Sequence, residues 1–266
     1  MQVAISQKGN KYVAWQAEKS DGPFVCPGCF GEVILKKGKI KEHHYAHKPP
    51  FDCIYGTGES QIHYKCKREI FEGLSVHPRC SECEVEKQLE GVRPDVYAEI
   101  GSNKIAIEVQ KSNIDLDDIS RKSIIYNKLR IYVLWLVPNN SPKLSWHDGE
   151  EKWVCRPKEW EKYFHAMYYG RLYYWQNGLL ATPYHFNTFQ IYVEEREWYD
   201  EYGDEQYAGG YYKDARALKS PIKCPRNQIN IVNDFSPRRR DQFSSKNWSI
   251  PSCNIWMDSL KPWWKK

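Results

Sequence analysis

Arg93-Pro-Asp-Val-Tyr-Ala-Glu-Ile-Gly-Ser-Asn-Lys-Ile-Ala-Ile-Glu-Val-Gln110 alternates with a period of two on either side of Gly101-Ser102-Asn103. Val96, Ala98 and Ile100 share one face of a first strand, and Asp95, Tyr97 and Glu99 the other. On a second strand Ile105, Ile107 and Val109 share a face opposite Ala106, Glu108 and Gln110. This is the pattern of half-buried strands in a hairpin. A turn centred near Ser102 brings Asp95 within about one position of Glu108 across the ladder, where side chains lie ~5 Å apart. Carboxylates that close are tolerated if solvated, if one is protonated, or if a cation sits between them. Hard oxygen donors at that spacing suit Mg²⁺ or Mn²⁺. The plainer alternative is a surface hairpin with its polar face in water.

The flanking segments extend this pattern. Upstream, Ile62, Cys66, Ile70 and Leu74 recur every fourth residue and predict a helix from about Glu59 to Leu74. Glu59, His63 and Lys67 repeat alike on an adjacent face, which reads either as a ligand-facing row or as a solvated face with ion pairs. Downstream, a helix is expected over Asp115 to Lys128, capped at Asn113 or Asp115. The apolar run Arg130 to Val137 reads as a strand buried on both faces. With a strand near Glu84 to Leu89, the order is helix, three strands, helix, strand.

The N-terminal part has a different character. Val3 to Ser6 and Tyr12 to Gln16 read as a hairpin, with a second over Val33 to Lys37 and Lys39 to Lys41. Cys26-Pro-Gly-Cys29 and His44-Tyr-Ala-His47 give C-x2-C-x14-H-x2-H, two tight pairs able to close a tetrahedral zinc shell. His43 with His47 is the alternative second pair. A closed shell of four leaves no open position, so this zinc is expected to be structural. Cys80 and Cys83 could form a second half-site with Cys53, Cys66 or His77, but no clean second pair is visible. Pro49 to Gly58 reads as a linker.

Composition narrows the class. In 266 residues the charged fraction is 27% and the formal net charge +5, which permits a nucleic-acid partner without requiring one. No apolar run is long enough to span a membrane, and the first residues show no secretion signal. Nine cysteines without such a signal point to a reducing cytoplasm and to metal rather than disulfides. Beyond residue 138 the pattern is weaker: a helix over Pro157 to Tyr168, strands over Arg171 to Trp175 and Asn187 to Val193, and an acidic exposed stretch over Glu194 to Gln206. A basic run, Arg238-Arg239-Arg240, is a candidate nucleic-acid contact.

Pro94-Asp95 followed by Glu108-Val-Gln110 resembles the PD-(D/E)xK restriction-endonuclease-like superfamily. More specifically, five motifs in order resemble the competence-protein CoiA-like nuclease family. They are the Cys26-Pro-Gly-Cys29 knuckle ending in His44-Tyr-Ala-His-Lys48; Glu59-Ser60 with His63 and Lys67; Arg93-Pro-Asp-Val96; Ile107-Glu-Val-Gln-Lys-Ser112; and Arg121 with Tyr126 before Val133-Leu-Trp135. Gln110 stands where the superfamily has lysine, and Cys80/Cys83 lie outside the family pattern.

The resemblance implies an α/β (α+β) fold: a restriction-endonuclease-like core with a central mixed sheet flanked by helices, a small N-terminal zinc-binding β module, and an irregular C-terminal region. The expected divisions are 1–55, 56–138 and 139–266. It also implies Mg²⁺- or Mn²⁺-dependent hydrolysis of phosphodiester bonds in DNA, with RNA not excluded, in competence, recombination or phage defence. Asp95, Glu108, the Val109 carbonyl and Glu59 would hold the metal, and Gln110 would orient the water. Lys67 and Arg121 would balance phosphate charge, His63 would pair with Glu59 or phosphate, and Tyr126 would hold backbone or flank the cleft. A rival reading is a non-catalytic DNA-binding or recombination accessory protein on the same fold. A zinc-dependent hydrolase is disfavoured by the closed Cys/His shell.

Overall fold

The computed structural model describes residues 1–49, 53, 59–139 and 141–265. Apart from Pro49 and Cys53, the expected linker lies outside the described residues. The N-terminal strands are β1 (Val3–Ser6), β2 (Lys11–Val13), β3 (Phe24–Val25), β4 (Glu32–Lys36) and β5 (His44–His47). They form one antiparallel sheet in the order β2-β1-β3-β4-β5 around Met1, Ala4, Phe24, Val33, Leu35 and Tyr45. The second hairpin pairs β4 with β5 rather than with Lys39–Lys41, which is a bent connection.

The next elements follow the expected order: helix α1 (Gln61–Ser75), β6 (Cys80–Val85), β7 (Val96–Ile100), β8 (Asn103–Val109), helix α2 (Leu116–Lys128) and β9 (Ile131–Leu136). Ser60 caps α1, its hydroxyl accepting from the His63 N–H, and Asp115 caps α2, accepting from the Asp117 N–H. β7 and β8 pair from Val96 opposite Ile107 to Ile100 opposite Asn103. Gly101 makes the turn at φ 62°, a backbone region that a Cβ disfavours. The register puts Asp95 across from Glu108, as the alternation requires. β8 and β9 are parallel, with α2 as the crossover between them.

Two features differ from expectation. First, the hairpin is not half solvated. Tyr97 and Ala106, on the face expected to be polar, are buried, and so is Glu108 at 3% exposure. The cause is that α1 packs on β6, β7 and β8 while α2 packs on β9 and the chain's last strand. Second, the sheet does not end with β9. Cys253–Asp258 lies parallel beside β9, and Phe235–Arg240 pairs antiparallel at the far edge. The complete order is Phe235–Arg240, Cys253–Asp258, β9, β8, β7, β6.

Helix α3 (Glu159–Met167) and strand Leu172–Asn177 join the same core. The Tyr168 hydroxyl bridges β9, accepting from the Trp135 N–H at 2.8 Å and donating to the Val133 carbonyl at 3.0 Å. Buried Asp258 accepts from the Tyr173 hydroxyl at 2.6 Å and pairs with Arg171 at 3.1 Å. Buried residues on either side of position 138 share one hydrophobic cluster. The C-terminal part supplies the sheet's other edge.

The arginine run lies on that edge strand. Arg238 is exposed, Arg239 is tied to Asn127 and Asn254, and Arg240 is buried between the Tyr169 and Phe243 rings. Arg240 is therefore not a free phosphate contact. The acidic stretch is exposed as expected and forms paired strands, Arg196–Tyr199 with Glu205–Ala208.

Candidate metal centres

Glu59 precedes the N-cap of α1, His63 and Lys67 sit on its first two turns, and Asp95 enters β7. One ligand atom each from Glu59, His63 and Asp95 falls within 4.8 Å of the others. His63 Nε2 lies 3.1 Å from Asp95 Oδ2, is buried, and is aligned with no hydrogen-bond partner. Such an orphaned nitrogen beside two carboxylates is a donor set that fits a divalent cation. Asp95 Oδ2 also accepts from the Val109 N–H at 2.8 Å, which fixes the carboxylate to β8.

Lys67 occupies a different place from the one expected. It is fully buried and bonds Glu59 at 2.8 and 2.9 Å and Glu86 at 2.8 Å, with Asp95 at 3.5 Å. It therefore balances the acids from behind and does not reach a substrate phosphate. Burial works against its charge, but Glu59, Glu86 and Asp95 outweigh that and hold it protonated. Burial likewise pushes the Asp95 carboxyl up, yet the His63 and Lys67 charges win and hold it far below the carboxylate range. Glu86 is buried too, and Lys67 and Arg93 bring it down to about 2.

Glu108 is drawn to α2 instead of the triad. Its carboxylate accepts from Lys122 Nζ at 2.9 Å and from the Tyr126 hydroxyl at 2.5 Å. Burial raises its pKa, opposed by Lys122 and reinforced by Asp95. Of the expected set of Asp95, Glu108, Val109 and Glu59, the close cluster of possible metal donors holds Asp95 and Glu59 and adds His63, and Glu108 lies beside it. Tyr126 holds a carboxylate and does not line the cleft. A cavity of about 350 Å³ opens on the site, lined by Glu59, His63, Asp95, Glu108, Gln110 and Arg121 among others. Arg121 is exposed and, among the described residues, pairs with Asp118 on its own helix alone, so it can reach an anion there. The Gln110 amide donates to the Ser112 carbonyl at 2.6 Å.

The second cluster is in the N-terminal module. Cys26, Cys29, His47 and Cys53 place their donor atoms within 4.8 Å of one another. Cys26 and Cys53 sulfurs are 3.9 Å apart, and Cys29 Sγ is 3.3 Å from His47 Nε2. Those spacings fit the edges of a tetrahedron with Zn–S of ~2.3 Å and Zn–N of ~2.0 Å. The expected fourth ligand, His44, lies elsewhere: its Nδ1 is 2.9 Å from the Glu42 carbonyl and its ring stacks on Tyr64. In β5, residues two apart share a face but His44 and His47 are three apart, so the strand points them to opposite sides. Cys53 takes the position. Among the described residues Cys80 and Cys83 belong to no such cluster.

Comparison with known proteins agrees with this layout. Residues 7–56 match "Competence protein CoiA, N-terminal domain" and residues 59–175 match "Competence protein CoiA, nuclease-like domain". The chain belongs to the CoiA-like family. It is 30% identical over 115 residues to competence protein CoiA of Bacillus subtilis (strain 168), covering 43% of this chain and 31% of that relative. No solved structure matches it significantly. The Cys/His cluster falls inside the CoiA N-terminal match, and every residue of the acid site falls inside the nuclease-like match. No helix among the described residues is long and apolar enough to cross a membrane.

Two functional neighbours escaped the sequence reading, and Arg93 was quoted there without a role. Lys122 had a signal, since it stands four residues before Tyr126 and both therefore face Glu108. Glu86 gave none, because nothing local shows that it meets Lys67 and Arg93.

The zinc fit yields a sharp expectation. Cys53→Ser should lose one equivalent of zinc and destabilise residues 1–53, while His44→Ala should keep it. Metal analysis of both purified variants decides this. Zinc retained by Cys53→Ser and lost by His44→Ala would restore the Cys₂His₂ assignment.

Proposed function

We propose that this chain is a divalent-cation-dependent nuclease hydrolysing phosphodiester bonds in DNA, on a restriction-endonuclease-like core, acting in competence-related DNA processing, recombination or phage defence in the cytoplasm. The observation that carries the reading is the Glu59–His63–Asp95 triad on the wall of an open cavity. A bound cation there supplies Lewis-acid polarisation of the phosphate and a more acidic water. Asp95 and Glu59 offer it oxygens, and His63 offers a nitrogen. That mixed set favours Mn²⁺ over Mg²⁺, because imidazole is a poorer partner for the harder ion.

The chain's own residues do the positioning. Lys67 and the Val109 N–H lock Glu59 and Asp95 so that no rotamer search precedes metal binding. Arg121, at the cavity rim, meets phosphate charge, and Gln110 presents a neutral amide for a water or phosphate oxygen. In the N-terminal module, zinc on Cys26, Cys29, His47 and Cys53 serves structure.

Purified protein with Mn²⁺ or Mg²⁺, on circular and linear DNA, tests the reading. Cleavage of circular substrate, faster with Mn²⁺, is the expected result. Binding without cleavage under both metals would favour the accessory-protein alternative.

A further inference from the structure

The end of β4 and its connection to β5 carry Lys36, Lys37, Lys39 and Lys41 within six residues. With Lys19 and His44 these line a broad surface cavity of about 670 Å³ whose wall, among the described residues, has no acidic side chain. The nearby carboxylates are already engaged. Glu18 pairs with Lys37 at 2.8 Å, and Glu42 pairs with Arg68 at 2.9 Å. Lys36, Lys39 and Lys41 are exposed, and among the described residues no carboxylate lies in ion-pair range of them. Ile40, between the last two, is 97% exposed.

This loop is pinned beside the triad. The Glu42 N–H donates to Gln61 Oε1 at 2.6 Å, and the His44 ring stacks on Tyr64 with centroids 5.4 Å apart. Gln61 and Tyr64 flank His63 on the first turns of α1, directly after Glu59. The exposed lysines therefore sit on a loop whose next residues, Glu42 and His44, contact α1 close to His63.

We propose that the Lys36–Lys41 loop grips the phosphate backbone of the nucleic-acid strand entering the Glu59–His63–Asp95 site, a role that rests on the nuclease reading above. The ligand is a polyanionic backbone and not bases: the wall offers ammonium groups and no amide fork for base edges. An anionic membrane is the other polyanion such a loop meets. Two exposed isoleucines, Ile34 and Ile40, are too little apolar surface for stable insertion, and the loop's attachment to α1 favours DNA. Lys36, Lys39 and Lys41 are also better placed than the edge-strand arginines, of which Arg239 and Arg240 are already engaged.

The test uses the full chain carrying Asp95→Ala, so that DNA stays intact. Binding of labelled duplex is followed by anisotropy across a salt series. A Lys36→Gln/Lys39→Gln/Lys41→Gln triple should lower the slope of log K against log salt by about 2 to 3, from ~0.9 per lost phosphate contact, with affinity falling on the order of 10²-fold at low salt. An equal charge change at exposed Lys104, Lys128 and Lys143, all to Gln, should leave the slope nearly unchanged. Equal losses in both triples, or an unchanged slope in the loop triple, would overturn the proposal. So would an absence of DNA binding alongside loop-dependent binding to phosphatidylserine vesicles. A wild-type protein that binds through the loop but never cleaves would instead sink the nuclease reading and leave the loop as a DNA grip.

Discussion

Asp95→Ala is expected to abolish metal-dependent cleavage while leaving DNA affinity unchanged or slightly higher. Asp95 is the residue on which the site converges: it faces His63, approaches Lys67, and is held by the Val109 N–H. Losing a partner that merely supports a metal ligand costs ~10–100-fold, so loss of a ligand should exceed that. Affinity can rise because a negative charge facing phosphate is removed. Asp95→Asn keeps the volume and the acceptor for Val109, so its inactivity would separate charge from packing. Glu108→Gln should be milder, since Glu108 is held by Lys122 and Tyr126 outside the triad. Gln110→Ala should be milder still, because a neutral amide only positions water. Gel assays on each variant, with the wild type purified in parallel to exclude a contaminating nuclease, read this order. Equal activity in wild type and Asp95→Ala would end the catalytic account.

Lys67→Met should cost ~3–5 kcal/mol of stability, the usual consequence of removing one partner from a buried ion pair. Lys67 has no exposure and serves Glu59, Glu86 and Asp95 together. Methionine fills the space but leaves buried Glu86 with, among the described residues, Arg93 at 3.4 Å as its one charged side-chain partner. The pH dependence carries a signature. Glu86 ionises at about 2 in the folded protein against an ordinary 4.5. A depressed carboxyl contributes stability that is present above 4.5 and lost as pH falls toward 2. Chemical denaturation of the wild type over that window should show the loss, and Lys67→Met should show a smaller one on a lower baseline. A variant as stable as wild type at neutral pH would mean the network carries little folding energy.

Local signals made part of this molecule legible. The fourfold spacing from Ile62 to Leu74, the Asp115 cap, and the apolar run into Val137 all became the elements they indicated, because each is decided within a few residues. The Asp95–Glu108 register was legible for the same reason: a two-residue turn leaves one alignment that keeps Val96 and Ile107 inside. What was not legible depends on distant contacts. The strands at Phe235–Arg240 and Cys253–Asp258 join the central sheet across more than a hundred residues, and Arg238 to Arg240 look like a solvated run until that pairing is seen. Cys53 and not His44 falls in the close Cys/His cluster, because strand alternation turns His44 away, which motif spacing ignores. Glu59, His63 and Lys67 were aligned in sequence. That Lys67 points inward while His63 points at Asp95 follows only from how α1 packs on β7.

The most direct measurement is pulsed electron paramagnetic resonance of Mn²⁺ bound to the zinc-loaded protein. The Glu59–His63–Asp95 site predicts one Mn²⁺ with coupling to a single imidazole nitrogen, lost in His63→Gln, and no Mn²⁺ binding in Asp95→Ala. One Mn²⁺ without nitrogen coupling, retained by His63→Gln and abolished by Glu108→Gln, would contradict the triad and return the metal to Asp95 and Glu108.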